Sequence, residues 1–151
     1  MKILMVCLGN ICRSPLAEGI LQAKANSKGL DIKVDSAGTG GWHVGQGPDH
    51  RAVAIANKYG IDISQQQARQ FSSTDFEGFD IIYAMDGSNL SDIVSLANSN
   101  KDIEKVRLIL NEINPEDNTP VPDPYYGGDD GFEKVYQLLD AACEIITKKI
   151  S

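Results

Sequence analysis

The chain has 151 residues, 42% of them hydrophobic, which is the length of one domain and enough apolar side chain for a single packed core. Its formal charge of −7 repels polyanions, so nucleic acid and anionic membrane are excluded as partners, and an anionic ligand has to be drawn by a local site. Three cysteines without framework spacing suit a reducing compartment; with no bilayer-length apolar run and no signal-like segment before the first strand, the sequence predicts a cytoplasmic protein.

Lys2-Ile3-Leu4-Met5-Val6 predicts a buried strand over 2–7, and the segment that follows it, Cys7-Leu8-Gly9-Asn10-Ile11-Cys12-Arg13-Ser14, carries the chemistry. Ser14-Pro15 reads as an N-cap with a first-turn proline, opening a helix over about 15–28 that closes at Gly29. The loop therefore ends on a helix N-terminus, where unpaired amides and the positive end of the helix dipole attract an oxyanion. The same field favours a thiolate at Cys7, the form that attacks phosphorus, and Arg13 supplies a planar fork that spans two phosphate oxygens. The amides from Leu8, Gly9, Asn10, Ile11 and Cys12 on to Ser14 would hold the remaining oxygens. Asn10 beside Gly9 suits a left-handed turn residue that also braces the loop. The bland alternative makes Cys7 a buried filler and Arg13 a surface charge. Cys12 is either a small filler or a redox guard that pairs reversibly with Cys7. With only His43 and His50 besides, no zinc spacing exists, and the chemistry needs no metal.

Further along, a strand over 32–37 contains Ser36, and the glycine-rich stretch Gly38–Gly47 holds Trp42, the only tryptophan, as core packing or as a cleft wall. A helix over about 49–59 ends at Gly60. A strand over 80–85, a helix over 88–97, a strand over 106–110 and a helix over 132–149 complete the order. In the last helix Val135, Leu139, Ala142 and Ile146 repeat at helical spacing with Cys143 beside them, a core face. The alternation predicts an α/β fold: a four-stranded parallel sheet with helices on both faces and its ligand at the carboxyl ends of the strands, where Cys7 sits. The loop 114–131, with four prolines, is long enough to be functional, and prolines on both sides of Asp123 restrict its backbone. Asp123 is an exposed acidic turn or a proton donor. Thiolate attack on a phosphate monoester leaves negative charge on the departing oxygen, so a donor is required, and Asp123 fills that role with Asp86, Asp129 and Asp130 as alternatives.

The loop at Cys7, together with Asp35-Ser36-Ala37-Gly38-Thr39, Ala68-Arg69-Gln70, Ala84-Met85-Asp86-Gly87-Ser88-Asn89-Leu90 and Asp123-Pro124-Tyr125-Tyr126-Gly127, resembles the low-molecular-weight protein tyrosine phosphatases in order along the whole chain. The resemblance implies one catalytic domain over 1–151, without metal or cofactor, that cleaves phosphotyrosine and aryl phosphate monoesters of protein substrates through a phosphocysteine, as a monomer or weak dimer. It also implies that the Ser14 hydroxyl donates to the Cys7 sulfur, that Asn10 braces the loop through Ser36, and that Trp42, Tyr125, Leu8 and Ile11 form an apolar slot for the ring. The sequence departs from the family at Gln65, where a histidine is common, so the brace is expected to use another partner. Thioredoxin-coupled arsenate reductases share the loop but need two further relay cysteines, and only Cys143 remains here. Protein-arginine phosphatases carry Thr in place of Ile11. A phosphocysteine carrier of sugar transport lacks the counterpart of Arg13, and a phosphotyrosine-binding module would not need both Cys7 and Asp123.

Overall fold

In a computed structural model of the protein, which describes residues 1–126 and 129–151 and, of Tyr126 and Asp129, the backbone alone, four parallel strands form one sheet. In chain order the elements are β1 (Lys2–Cys7), α1 (Arg13–Ser27), β2 (Lys33–Gly38), α2 (His50–Lys58), α3 (Asp75–Gly78), β3 (Ile81–Ala84), α4 (Gly87–Val94), α5 (Asn100–Glu104), β4 (Val106–Leu108) and α6 (Asp129–Ile150). Short 3₁₀ turns lie at Ile109–Glu112 and Pro124–Tyr126. The strand order is β2-β1-β3-β4. The chain leaves β1 for one side and later returns to the other, so a crevice opens at the carboxyl end of β1, where Cys7 pairs with Gly38.

After the exposed Lys2, β1 is apolar because both of its faces are covered. Ile3, Met5 and Cys7 point into a cluster with Leu16, Ile20 and Leu21 of α1 and Val135, Leu139 and Cys143 of α6. Leu4 and Val6 point the other way, onto Phe71, Phe76 and Ile93 of α4. The alternation of a strand thus divides one apolar run between two cores.

The expected strands and long helices are all present, with shifts at their ends. Gly29 and Gly60 take φ of +67° and +80° just beyond the ends of α1 and α2, the left-handed stop that glycine supplies. β4 ends at Leu108 rather than 110, and α6 begins at Asp129 rather than 132. α3 and α5, of four and five residues, are too short to carry a readable period. One assignment is corrected. Ser14 does not cap α1: the helix already includes Arg13, Cys12 stands at the cap position without a side-chain cap bond, and the Ser14 hydroxyl turns inward instead. Among the described residues no helix is long and apolar enough to cross a membrane.

Candidate active site

The loop between β1 and α1 curls around the Cys7 sulfur. Asn10 makes the turn with φ of +58°, a conformation asparagine tolerates, and its amide donates to Cys7 Sγ at 3.3 Å. The loop is held from outside through its carbonyls: Thr39 N–H donates to Cys7 O, Gly40 N–H to Leu8 O and Asp49 N–H to Ile11 O, at 2.8–2.9 Å. Among the described residues, the amides of Leu8, Gly9, Ile11 and Cys12 have no acceptor in the chain. Carbonyls fastened outward and amides left over make a ring of donors for an anion. Gly38 lies so close beneath that a Cβ there would sit 2.8 Å from Leu8 O and 3.0 Å from the Gly9 carbonyl carbon.

A directed hydrogen-bond chain runs from the sulfur to the far side of the loop. Asn10 Nδ2 donates to Ser14 Oγ at 2.8 Å and to Ser36 Oγ at 3.0 Å, while Asn10 Oδ1 accepts from Arg69 N–H. With its oxygen already accepting, Ser14 has its proton to give, and Cys7 Sγ at 3.0 Å is nearer than Ala37 O at 3.5 Å. Ser36 in turn donates to Glu18 Oε1 at 2.7 Å. Glu18 is therefore the partner at the end of the brace. Gln65 is exposed and bonded to its neighbour Ser64, outside the network. Burial, with the Asp35 charge beside it, pushes the Glu18 carboxyl up to about 7 against the opposing pull of the Ser36 hydrogen bond and Arg69.

Arg13 is 3% exposed and tightly oriented. Its Nη1 donates to Asp86 Oδ2 at 2.7 Å and to Val121 O at 3.0 Å. The other oxygen of Asp86 accepts from Asn89 N–H and caps α4. A carboxylate committed to a guanidinium and a helix end is poorly placed to give protons, which separates Asp86 from Asp123. Asp123 sits across the cleft with Oδ2 at 3.8 Å from Arg13 Nη2, its side chain about a third exposed, and its Oδ1 accepts from Tyr125 N–H at 3.0 Å. The side chain of Asp129, another of the possible donors, and that of Tyr126 lie outside the described residues, as do Gly127 and Gly128.

Cys7, Leu8, Gly9, Ile11, Cys12, Arg13, Asp123 and Tyr125 line one cavity of about 310 Å³ together with Trp42 and His43. That is near the lower end of the range for small-molecule sites. Trp42 is not packed in the core: it is 70% exposed and lies over Gly40, which has no side chain to displace it. Tyr125 and Leu8 are 43% and 41% exposed on the rim. Cys12 is buried close to Asp49, and desolvation first, then these negative neighbours, pushes its thiol up to about 12. All three cysteines are free thiols. Among the described residues no three His, Cys, Asp or Glu side chains group as a metal site.

Sequence reasoning missed Glu18, Asp86 as the holder of Arg13, His43 against Gly9, and the Asp49–Arg51 pair. Asp86 ahead of a helical segment carried a capping signal, but nothing local pointed to a second partner 73 residues away.

A parallel sheet whose first strand delivers a thiol into a ring of amides beside a buried guanidinium defines a class, the phosphatases that work through cysteine. Within that class, the family model described as low molecular weight phosphotyrosine protein phosphatase matches residues 2–151, and the chain belongs to that family. It is 43% identical over 151 residues to the low molecular weight protein-tyrosine-phosphatase YfkJ of Bacillus subtilis, covering 99% of this chain and 95% of that protein. Among solved structures it is similar to a protein tyrosine phosphatase from Entamoeba histolytica, with a TM-score of 0.92 and 37% identity, covering 99% of this chain and 96% of that one. It is also similar to Wzb of Vibrio vulnificus, solved in complex with benzylphosphonate, with a TM-score of 0.87 and 30% identity over 98% and 97% of the two chains.

Proposed function

We propose that this enzyme hydrolyses phosphotyrosine in proteins, and aryl phosphates in general, in two displacements at phosphorus. Cys7 Sγ attacks as the thiolate, the phosphorus–oxygen bond to the phenol breaks, and Asp123 gives its proton to the departing oxygen. Asp123, now a carboxylate, takes a proton from a water molecule whose oxygen attacks the phosphocysteine. The phosphorus–sulfur bond breaks and the thiolate returns. Arg13 and the amides of Leu8, Gly9, Ile11 and Cys12 hold the equatorial oxygens through both steps; the Asn10 amide, expected from the sequence to join them, is committed to the sulfur instead, and with the Ser14 hydroxyl it stabilises the sulfur as leaving group. Ser36 acts through Asn10 as support. The observation that carries this reading is the sulfur itself, which accepts from the Asn10 amide at 3.3 Å with the Ser14 hydroxyl 3.0 Å away.

Trp42, Tyr125, Leu8 and Ile11 would grip the ring from both sides. An apolar slot favours a phenyl ring over a phosphoguanidinium, and the benzyl group held by the related Wzb is of the same kind. We read the chain as a single catalytic unit over 1–151 that works in the cytoplasm, as a monomer or weak dimer, on phosphoproteins. The test is turnover of phosphotyrosine, phosphoserine and phosphoarginine peptides with EDTA present. Phosphotyrosine should be preferred by at least about a hundredfold, and Cys7→Ser should lower the rate at least about a thousandfold. A tenth of the wild-type rate remaining in Cys7→Ser would remove Cys7 as the nucleophile. An equal rate on phosphoarginine would remove the substrate assignment.

A further inference from the structure

Asp123 must stand over the phosphate loop to protonate a leaving group, yet its own segment is a single 3₁₀ turn, Pro124–Tyr126, with the carboxylate partly in solvent. Among the described residues, two anchors hold it. On one side Val121 is buried, its amide donating to Met85 O at 2.8 Å and its carbonyl accepting from Arg13. On the other side the anchor is a side chain from a different element. Arg51, in the first turn of α2, donates from Nη2 to Tyr125 O at 3.1 Å, with its guanidinium carbon 5.5 Å from the Tyr125 ring centre and 4.8 Å from that of Phe132. The same guanidinium closes a two-pronged pair on Asp49, Nε to Oδ1 and Nη2 to Oδ2, both at 3.1 Å. Asp49 caps α2 by accepting from Arg51 N–H, and its own amide donates to Ile11 O in the phosphate loop.

These contacts form one line: the phosphate loop at Ile11, Asp49, Arg51, Tyr125, and through the Tyr125 N–H the carboxylate of Asp123. We propose that Arg51 is a positioning residue, which fastens the segment bearing the proton donor to the segment bearing the nucleophile and fixes the distance between them. This rests on Asp123 being the acid. The planar fork is what the role demands, because one face must lie on aromatic rings while the edge serves a carboxylate and a carbonyl together. A lysine, a point charge on a flexible stem, cannot do both. Displacing an acid by about 1 Å costs on the order of a hundredfold. The loss should appear only where the acid is needed.

The experiment compares kcat/KM on phenyl phosphate, whose leaving group needs a proton, and p-nitrophenyl phosphate, whose anion departs unaided. Wild type, Arg51→Ala, Arg51→Lys, Asp49→Asn, Asp123→Asn and the Arg51→Ala/Asp123→Asn double variant are assayed, with melting temperatures for each. Arg51→Ala should lose about ten- to a hundredfold on phenyl phosphate and less than about threefold on p-nitrophenyl phosphate. Arg51→Lys should resemble it, and Asp49→Asn, which keeps the cap but loosens the fork, should show the same pattern in smaller measure. In the Asp123→Asn background, Arg51→Ala should add no further loss on phenyl phosphate. Equal losses of Arg51→Ala on the two substrates, full rescue by lysine, or an undiminished loss in the double variant would overturn the proposal. Absence of leaving-group dependence in Asp123→Asn alone would instead overturn the assignment of the acid, and this proposal with it.

Discussion

Among the described residues, Asn10 is the one through which every polar contact of the Cys7 sulfur is oriented. Its two amide protons fix which way the hydroxyls of Ser14 and Ser36 point, and so direct the Ser14 proton towards sulfur. Cys7 and Arg13 were legible because six-residue spacing and position at a strand end are local properties. Ser14 was misread as a cap because the sequence Ser-Pro is an honest capping signal that a partner from outside the helix, the Cys7 sulfur, overrides. The parts played by Glu18, Asp86 and Arg51 were not legible for a different reason: each acts on a group 18 to 74 residues away. The three thiols should differ sharply in reactivity. Cys12 is pushed up to about 12, and burial drives Cys143 higher still, so both stay neutral at pH 7. Iodoacetamide followed by peptide mass mapping should find Cys7 alkylated and the other two untouched, with inorganic phosphate protecting. Modification of Cys12 at a comparable rate would contradict the elevation of its thiol by desolvation and the Asp49 charge.

At the scale of elements, the site is a seam where β1, the head of α1, the end of β2 and the Asp123 loop meet. The order and type of the strands and long helices followed from apolar runs and glycine stops. The short α3 and α5 did not, nor did the 3₁₀ turn that carries Pro124. Nor could periodicity show that β2 ends by pressing its backbone against the phosphate loop. Gly38 pairs with Cys7, donates to Arg69 O at 2.9 Å and accepts from Phe71 N–H at 2.7 Å, while its missing side chain admits Leu8 O. Because the atoms a methyl would strike are backbone, they yield only if the loop moves. Gly38→Ala should cost about 1–3 kcal/mol in urea unfolding and lower kcat/KM by a larger factor than that destabilisation alone would suggest. An alanine variant with wild-type kcat/KM would mean the loop tolerates displacement and is not the preorganised ring described here.

At the scale of the molecule, two cores on opposite faces of one sheet bear the stability, and a partly buried carboxyl at the site's rear couples it to pH. Glu18 sits at about 7 in the fold against 4.5 ordinarily, so between those values the folded chain holds a proton that the unfolded chain has released. Stability is fully present below about 4.5 and falls as pH rises through about 7, by at most about 3 kcal/mol. The carboxylates held below their ordinary range, Asp49 and Glu133 among them, act at lower pH and do not mask this window. Urea midpoints at pH 5 and pH 8 should converge in Glu18→Gln, which keeps an acceptor for Ser36 without the charge. An unchanged difference between the two pH values would place the effect elsewhere.

Among the described residues, the two groups that accept from Arg13 Nη1 differ in kind. Asp86 is a side chain, and one nucleotide change can delete it. Val121 offers its main-chain carbonyl, which survives any substitution at that position that leaves the backbone in place. Mutational tolerance around the site should therefore be lopsided. In a saturation library, position 121 should accept several apolar replacements with activity retained, limited only by the space its buried side chain fills, while position 86 should accept almost none. A lineage drifting under selection for catalysis keeps half of the arginine's harness without conserving a residue to provide it.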